Sequence, residues 1–174
     1  FSLLKRGLEW KGKLNMLSID GLAYYFKEHA HHWYSSFEVK ANVKLPFQQA
    51  YFNQDELGYK DFNLRGLEYY VIDGVAASVA KYTLKKNLVA FSIPFPFGIK
   101  KIPRLPFAIY AKTYADIGYS YSQKEFDTML GNKLLYTAGF GLDILSLYDT
   151  TLRIEYSFNQ LGENGLFLHA RSLF

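Results

Sequence analysis

Residues 107–121 alternate without a break. Phe107, Ile109, Ala111, Thr113, Ala115, Ile117, Tyr119 and Tyr121 fall on one face of an extended chain, and Tyr110, Lys112, Tyr114, Asp116 and Ser120 on the other. A period of two belongs to a β-strand, because successive side chains point to opposite sides of the pleat. The pattern recurs along the chain. Residues 33–45 set Trp33, Phe37, Val39, Ala41, Val43 and Leu45 against Tyr34, Glu38, Lys40, Asn42 and Lys44. Residues 134–148 set Leu134, Tyr136, Ala138, Phe140, Leu142 and Ile144 against Thr137, Gly139, Gly141 and Asp143. In 150–160, Leu152, Ile154, Tyr156 and Phe158 oppose Arg153, Glu155, Ser157 and Asn159; in 165–174, Leu166, Leu168, Ala170 and Phe174 oppose His169 and Arg171. Two further runs cover 7 to about 26, with Leu8, Trp10, Leu14 and Met16 on one face, and 75–93. The second is the least regular, because Lys86 falls on its apolar side.

These runs reach roughly 10–15 residues, whereas globular strands usually have about 5–6. Long two-faced antiparallel strands suit a soluble sandwich with an apolar interior, or a membrane barrel with its apolar face toward lipid and its polar face toward a lumen. In a sandwich the aromatic residues are ordinary core. In a barrel, tyrosines near strand ends, such as Tyr119, Tyr121, Tyr136 and Tyr148, form interfacial girdles. An aromatic content of 18%, with 15 Tyr and 15 Phe, favours the barrel. So do charges confined to one face deep within a strand. The expected fold class is therefore all-β, a transmembrane antiparallel barrel.

Composition removes other classes. The net charge is +4 and the basic residues are dispersed, which argues against nucleic-acid binding. No run of about 18 apolar residues marks a transmembrane helix. Without cysteine there are no disulfides or thiolate metal sites. The chain opens Phe-Ser-Leu-Leu, with neither initiator Met nor signal peptide, so a missing N-terminal part is expected. About seven strands do not close the even-numbered barrel of single-chain bacterial proteins. The expectation is the C-terminal portion of a larger barrel, with Phe174 ending the last strand as its assembly signal.

The stretch "LRGLEYYVIDG" at 64–74 lies between two strands, and its aromatics imply packing rather than solvation. Its Leu64-Arg65-Gly66-Leu67 element and the later Tyr114-Ala115-Asp116-Ile117-Gly118 resemble the BamA/TamA superfamily, the bacterial surface-antigen barrels. In that family a long sixth loop folds into the lumen, and its Val/Leu-Arg-Gly-Phe/Tyr motif meets an aromatic-x-Asp-x-Gly motif on the wall. Arg65 and Gly66 match the first motif, while Leu67 stands where the family has an aromatic, with Tyr69 or Tyr70 beside it to fill that space. Tyr114, Asp116 and Gly118 match the second. The five runs after the loop equal the number the family places there.

The resemblance covers the whole chain, as roughly strands ten to sixteen of a sixteen-stranded barrel preceded by periplasmic POTRA domains. It implies insertion or translocation of proteins at the Gram-negative outer membrane, without cofactor, metal or enzymatic activity. The implied partners are outer-membrane lipid, client outer-membrane proteins and accessory assembly subunits. A lumenal arginine is costly unless paired, and a planar guanidinium suits a carboxylate; Arg65 is therefore expected against Asp116.

Other constellations are weaker. His29, His31 and His32 could hold a metal but fall at a turn between strands. Residues 92–107 hold four of the prolines and suit a rigid turn better than a peptide-binding segment, since proline cannot donate to a ladder. Gly139 and Gly141 lack the helix and third glycine of a phosphate loop. Arg153 and Glu155 are expected in the lumen. No nucleophile motif occurs. Two alternatives stand beside the assembly reading: a passive pore or uptake barrel, and a barrel attached to a missing enzymatic domain.

Overall fold

The computed structural model describes residues 2–6, 14–48, 53–59, 62–94, 104–123, 129–146 and 150–171. In chain order its strands are β1 (Ser2–Arg6), β2 (Leu14–His29), β3 (Trp33–Leu45), β4 (Asp55–Leu57), β5 (Ile72–Asp73), β6 (Ala76–Pro94), β7 (Arg104–Tyr121), β8 (Leu134–Leu145), β9 (Thr151–Asn159) and β10 (Asn164–Arg171). All but β4 and β5 join in one antiparallel sheet, ordered β1-β2-β3-β6-β7-β8-β9-β10. Neighbours in that sheet are consecutive in the chain except β3 and β6. Between these two the chain leaves the sheet, forms the short β4–β5 pair, and returns. The sheet is all-β and antiparallel but not closed into a barrel, with β1 and β10 as its edges. No α-helix occurs among the described residues.

The strand count differs from the sequence expectation. The seven runs each correspond to a strand of the sheet, and β1, which lies before the first run, makes eight. Residues 7–13, with Leu8 and Trp10, lie outside the described residues. β2 also continues beyond Phe26: Lys27 pairs with Ser35, and His29 with Trp33. The reversal follows in a 3-10 turn, Ala30–His32, where His31 and His32 both adopt φ 60°. The turn carries neither glycine nor proline, so its chemistry did not mark the strand's end.

Lys86 does sit on the apolar face of β6, and the break in this strand's alternation lies just beyond it. The β6–β7 pairing shifts register between Asn87 and Val89. An extra residue on one strand of an antiparallel pair changes which side chains share a face. Lys86 is paired across the sheet with Trp33 and holds its Nζ 5.2 Å from that ring. An aliphatic stem on an apolar face with its head over an aromatic is a low-cost way to seat a lysine. Pro106 is similarly tolerated. It pairs with Ser92 on β6, in the part of β7 that extends past the end of β8, whose pairing begins at Ala108.

Burial follows the alternation, with inverted polarity. Along β7, Lys112, Tyr114, Asp116 and Ser120 are buried, while Ile117 and Tyr119 are exposed. On β8 and β9, Thr137, Asp143, Glu155 and Ser157 are buried, and Tyr136, Phe140, Leu142, Leu152 and Phe158 are exposed. On β10, Leu166 and Leu168 are 61% and 65% exposed. A water-soluble sandwich does the reverse. Here the chain between β3 and β6 covers part of the polar face of β6 to β9, whereas residues 19–30, which include most of β2, are exposed on both faces. The apolar core lies between that segment and the sheet: Leu57, Leu64, Leu67 and Ile72 pack with Ala77 and Val79 of β6, Leu135 of β8, and Leu130. Each buried leucine contributes about 1.5–3 kcal/mol, so the segment is held by more than polar contacts.

Candidate functional site

The site grows from one tight turn. Leu67 N donates to Leu64 O at 3.1 Å, and Gly66, third of the four residues, has φ 82°. That position of such a turn favours glycine. Gly66 also lies against the sheet: a Cβ there would stand 2.7 Å from Ser157 Cβ. Its carbonyl accepts from Asn159 Nδ2 at 3.1 Å. The turn therefore rests its tip on β9.

This places Arg65 over β6 and β7. Its Nε donates to Asp116 Oδ2 at 2.8 Å, its backbone N donates to the same oxygen at 3.2 Å, and Nη2 donates to Oδ1. Nη1 donates to Thr83 Oγ1 at 2.9 Å and Nη2 to Tyr82 O at 3.4 Å. The guanidinium carbon sits 4.0 Å from the Tyr114 ring centroid, a cation–π distance. Tyr114 hydrogen-bonds Ser157 through its hydroxyl, joining the wall under the arginine to the wall under Gly66. The Asp116 side chain is fully buried and that of Arg65 is 15% exposed. Burial disfavours the Arg65 cation, and the hydrogen bonds and charge of Asp116 more than offset it, raising its pKa above the ordinary arginine value.

The residues flanking Arg65 are hydrophobic anchors. Leu64 is buried against Gly118, where a Cβ would come within 2.8 Å of Leu64 Cδ1. Leu67 is itself buried in the core, so its own place needs no other side chain. Tyr69 is 86% exposed, its ring 5.6 Å from Phe167. Tyr70 packs beside the core and donates to Glu163 Oε1 at 2.8 Å.

A second feature was only partly visible in the sequence. Lys85 on β6 pairs with Asp143 on β8, Asp143 with Lys112 on β7, and Lys112 with Glu155 on β9, the last at 2.6 Å. His169 on β10 follows, its Nε2 3.5 Å from Glu155 Oε2 and 3.2 Å from Glu68 Oε1. A row of alternating charge thus crosses the polar face. It borders a cavity of about 690 Å³ that Arg65, Lys81, Arg153 and Glu155 also line. Alternation assigned Arg153, Glu155 and Asp143 to this face; only the register shows which charges meet. Thr83, Ser157 and Asn159, which support the turn, had no signal beyond polarity at inward positions.

His29 hydrogen-bonds Ser35 at 2.8 Å and lies with His31 and His32 at the β2–β3 turn. Gly139 and Gly141 are strand residues of β8. Phe174 and the prolines within 95–103 lie outside the described residues. Compared with known family models, curated proteins and solved structures, the chain matches none of them.

Proposed function

We propose that this chain is the C-terminal part of an outer-membrane β-barrel of the BamA/TamA type, which inserts or translocates proteins at the outer membrane. One observation carries the reading: a sheet of long strands exposes its apolar face while a segment of the same chain covers part of its polar face, pinned there by Arg65 on Asp116. An exposed apolar sheet face of this extent suits lipid and not water. The covered polar face then lines a lumen, and the covering segment is an inward loop.

The mechanism is mechanical. The edge strand β10 has one side of its backbone unpaired within this sheet. Such an edge templates a further strand through its free N–H and C=O groups, so a client hairpin would add there while the inward loop keeps the lumen closed. No cofactor enters this scheme. Reconstituting the full-length protein in outer-membrane lipid vesicles tests it. Acceleration of client barrel insertion, lost in Arg65→Ala, supports the proposal. A steady solute conductance with no insertion activity assigns the passive-pore alternative, and a water-soluble monomer that ignores vesicles rejects both.

A further inference from the structure

The row of charges ends in a group that strand pairing does not explain. Glu155 spends Oε1 on Lys112 and turns Oε2 toward His169 Nε2, at 3.5 Å. From the opposite side Glu68, on the inward segment, brings Oε1 to 3.2 Å from the same nitrogen. These ligand atoms all lie within 4.8 Å of one another. His169 Nε2 is shielded from solvent and makes no hydrogen bond of ordinary geometry. We propose that Glu68, Glu155 and His169 are the protein ligands of a divalent metal ion of the zinc class, which ties the inward segment to β9 and β10.

The spacing supports the ion. Zinc binds imidazole nitrogen and carboxylate oxygen at about 2.0–2.2 Å, and a tetrahedron with such bonds separates its ligand atoms by roughly 3.3–3.6 Å. The 3.5 Å separation from Glu155 falls on that edge, and the 3.2 Å separation from Glu68 is about 0.1 Å short of it. Three protein ligands leave a fourth position for water. The donor set selects too: imidazole with carboxylates suits zinc and its neighbours, whereas calcium and magnesium prefer all-oxygen shells.

Charge argues the same way. Lys85 and Lys112 already answer Asp143 and Glu155. Glu68 comes as an additional carboxylate. Its Oε1 and Glu155 Oε2 both face His169 Nε2. A dication between the two carboxylates relieves that crowding.

The test is binding of Co²⁺, a coloured stand-in for Zn²⁺, to the full-length protein in detergent micelles. The other three histidines cluster at the β2–β3 turn, so the measurement is repeated with His29→Ala, His31→Ala and His32→Ala combined. The expected result is one Co²⁺ per chain with a low-coordinate visible spectrum, displaced by Zn²⁺ and retained in the triple variant. His169→Ala should weaken binding at least about 100-fold, since even outer-shell partners of metal ligands are worth about 10–100-fold. Glu68→Gln, placed off the sheet, gives a second reading if His169→Ala does not fold. Absence of bound Co²⁺, or binding unchanged in Glu68→Gln, overturns the proposal. Neither outcome depends on insertion activity, so the site and the proposed function fail separately.

Discussion

Arg65 is bound to Asp116 through three nitrogens, its backbone amide, Nε and Nη2, shared between the two carboxylate oxygens. The backbone contact makes Asp116 a receptor for the turn as well as for the guanidinium. A lysine could keep the charge but not the fork, and it would lose the planar contact with Tyr114. The pair thus fixes position and orientation together, on strands β6 and β7 at once.

Removing either partner should destabilise the docked segment by about 3–5 kcal/mol, because it leaves a buried charge alone. Arg65→Ala and Asp116→Ala are expected to lower the denaturant midpoint similarly, and the double variant to be no worse than either. Arg65→Lys should recover only part. A double-mutant cycle checks this; additive losses would show that the two residues act independently.

Gly66→Ala should be more harmful than Gly118→Ala. At Gly66 the substitution combines a left-handed backbone, costing about 1–2 kcal/mol for other residues, with a close approach to Ser157 Cβ. At Gly118 the new methyl meets only the end of Leu64, which has rotamers to use. Ser157→Gly should rescue Gly66→Ala partially, removing the clash but not the backbone strain. Thermal midpoints of the single and double variants separate the two terms.

A charge on the exposed apolar face should matter only in lipid. Phe140 is 53% exposed and packs near Tyr156 and Phe158. Refolded into vesicles, Phe140→Arg is expected to cost about 2–4 kcal/mol near the bilayer midplane. Ser36→Arg, at the polar cavity, should cost clearly less. Equal effects at the two positions would remove the argument for lipid on one face and lumen on the other.

The contact between Tyr70 and Glu163 gives the inward segment a pH dependence. Hydrogen bonds from Asn159 and then Tyr70 hold the Glu163 carboxyl below its ordinary range, and the bond to Glu163 raises the Tyr70 phenol. A depressed carboxyl stabilises above its unfolded value, about 4.3, and loses that contribution as pH falls through its folded value. A raised phenol contributes below about 10 and loses it as pH rises further. Protection of the backbone amides at 67–71, taken as the intrinsic exchange rate at each pH divided by the observed rate, should therefore be greatest between these limits and fall on both sides. Glu163→Gln should abolish the acid limb.

Alternation alone determined the strands after the inward segment and, apart from β6 beyond its bulge, the facing of residues along them. It placed Asp116 inward and Ile117 outward, because a strand's two faces are set by neighbours two positions apart. The same local rule had limits: β1 lies outside every run it found, and it could not name the bulge beside Lys86. Tertiary structure decided which inward groups meet. Nothing near Leu67 in sequence shows that it fills its own place in the core while Tyr69 stays exposed. Nothing near His169 shows that Glu68 and Glu155 approach it from two sides. Those contacts depend on strand register and on the return of the chain between β3 and β6, which bring together residues far apart in sequence. Facing is a property of the strand; partnership is a property of the sheet.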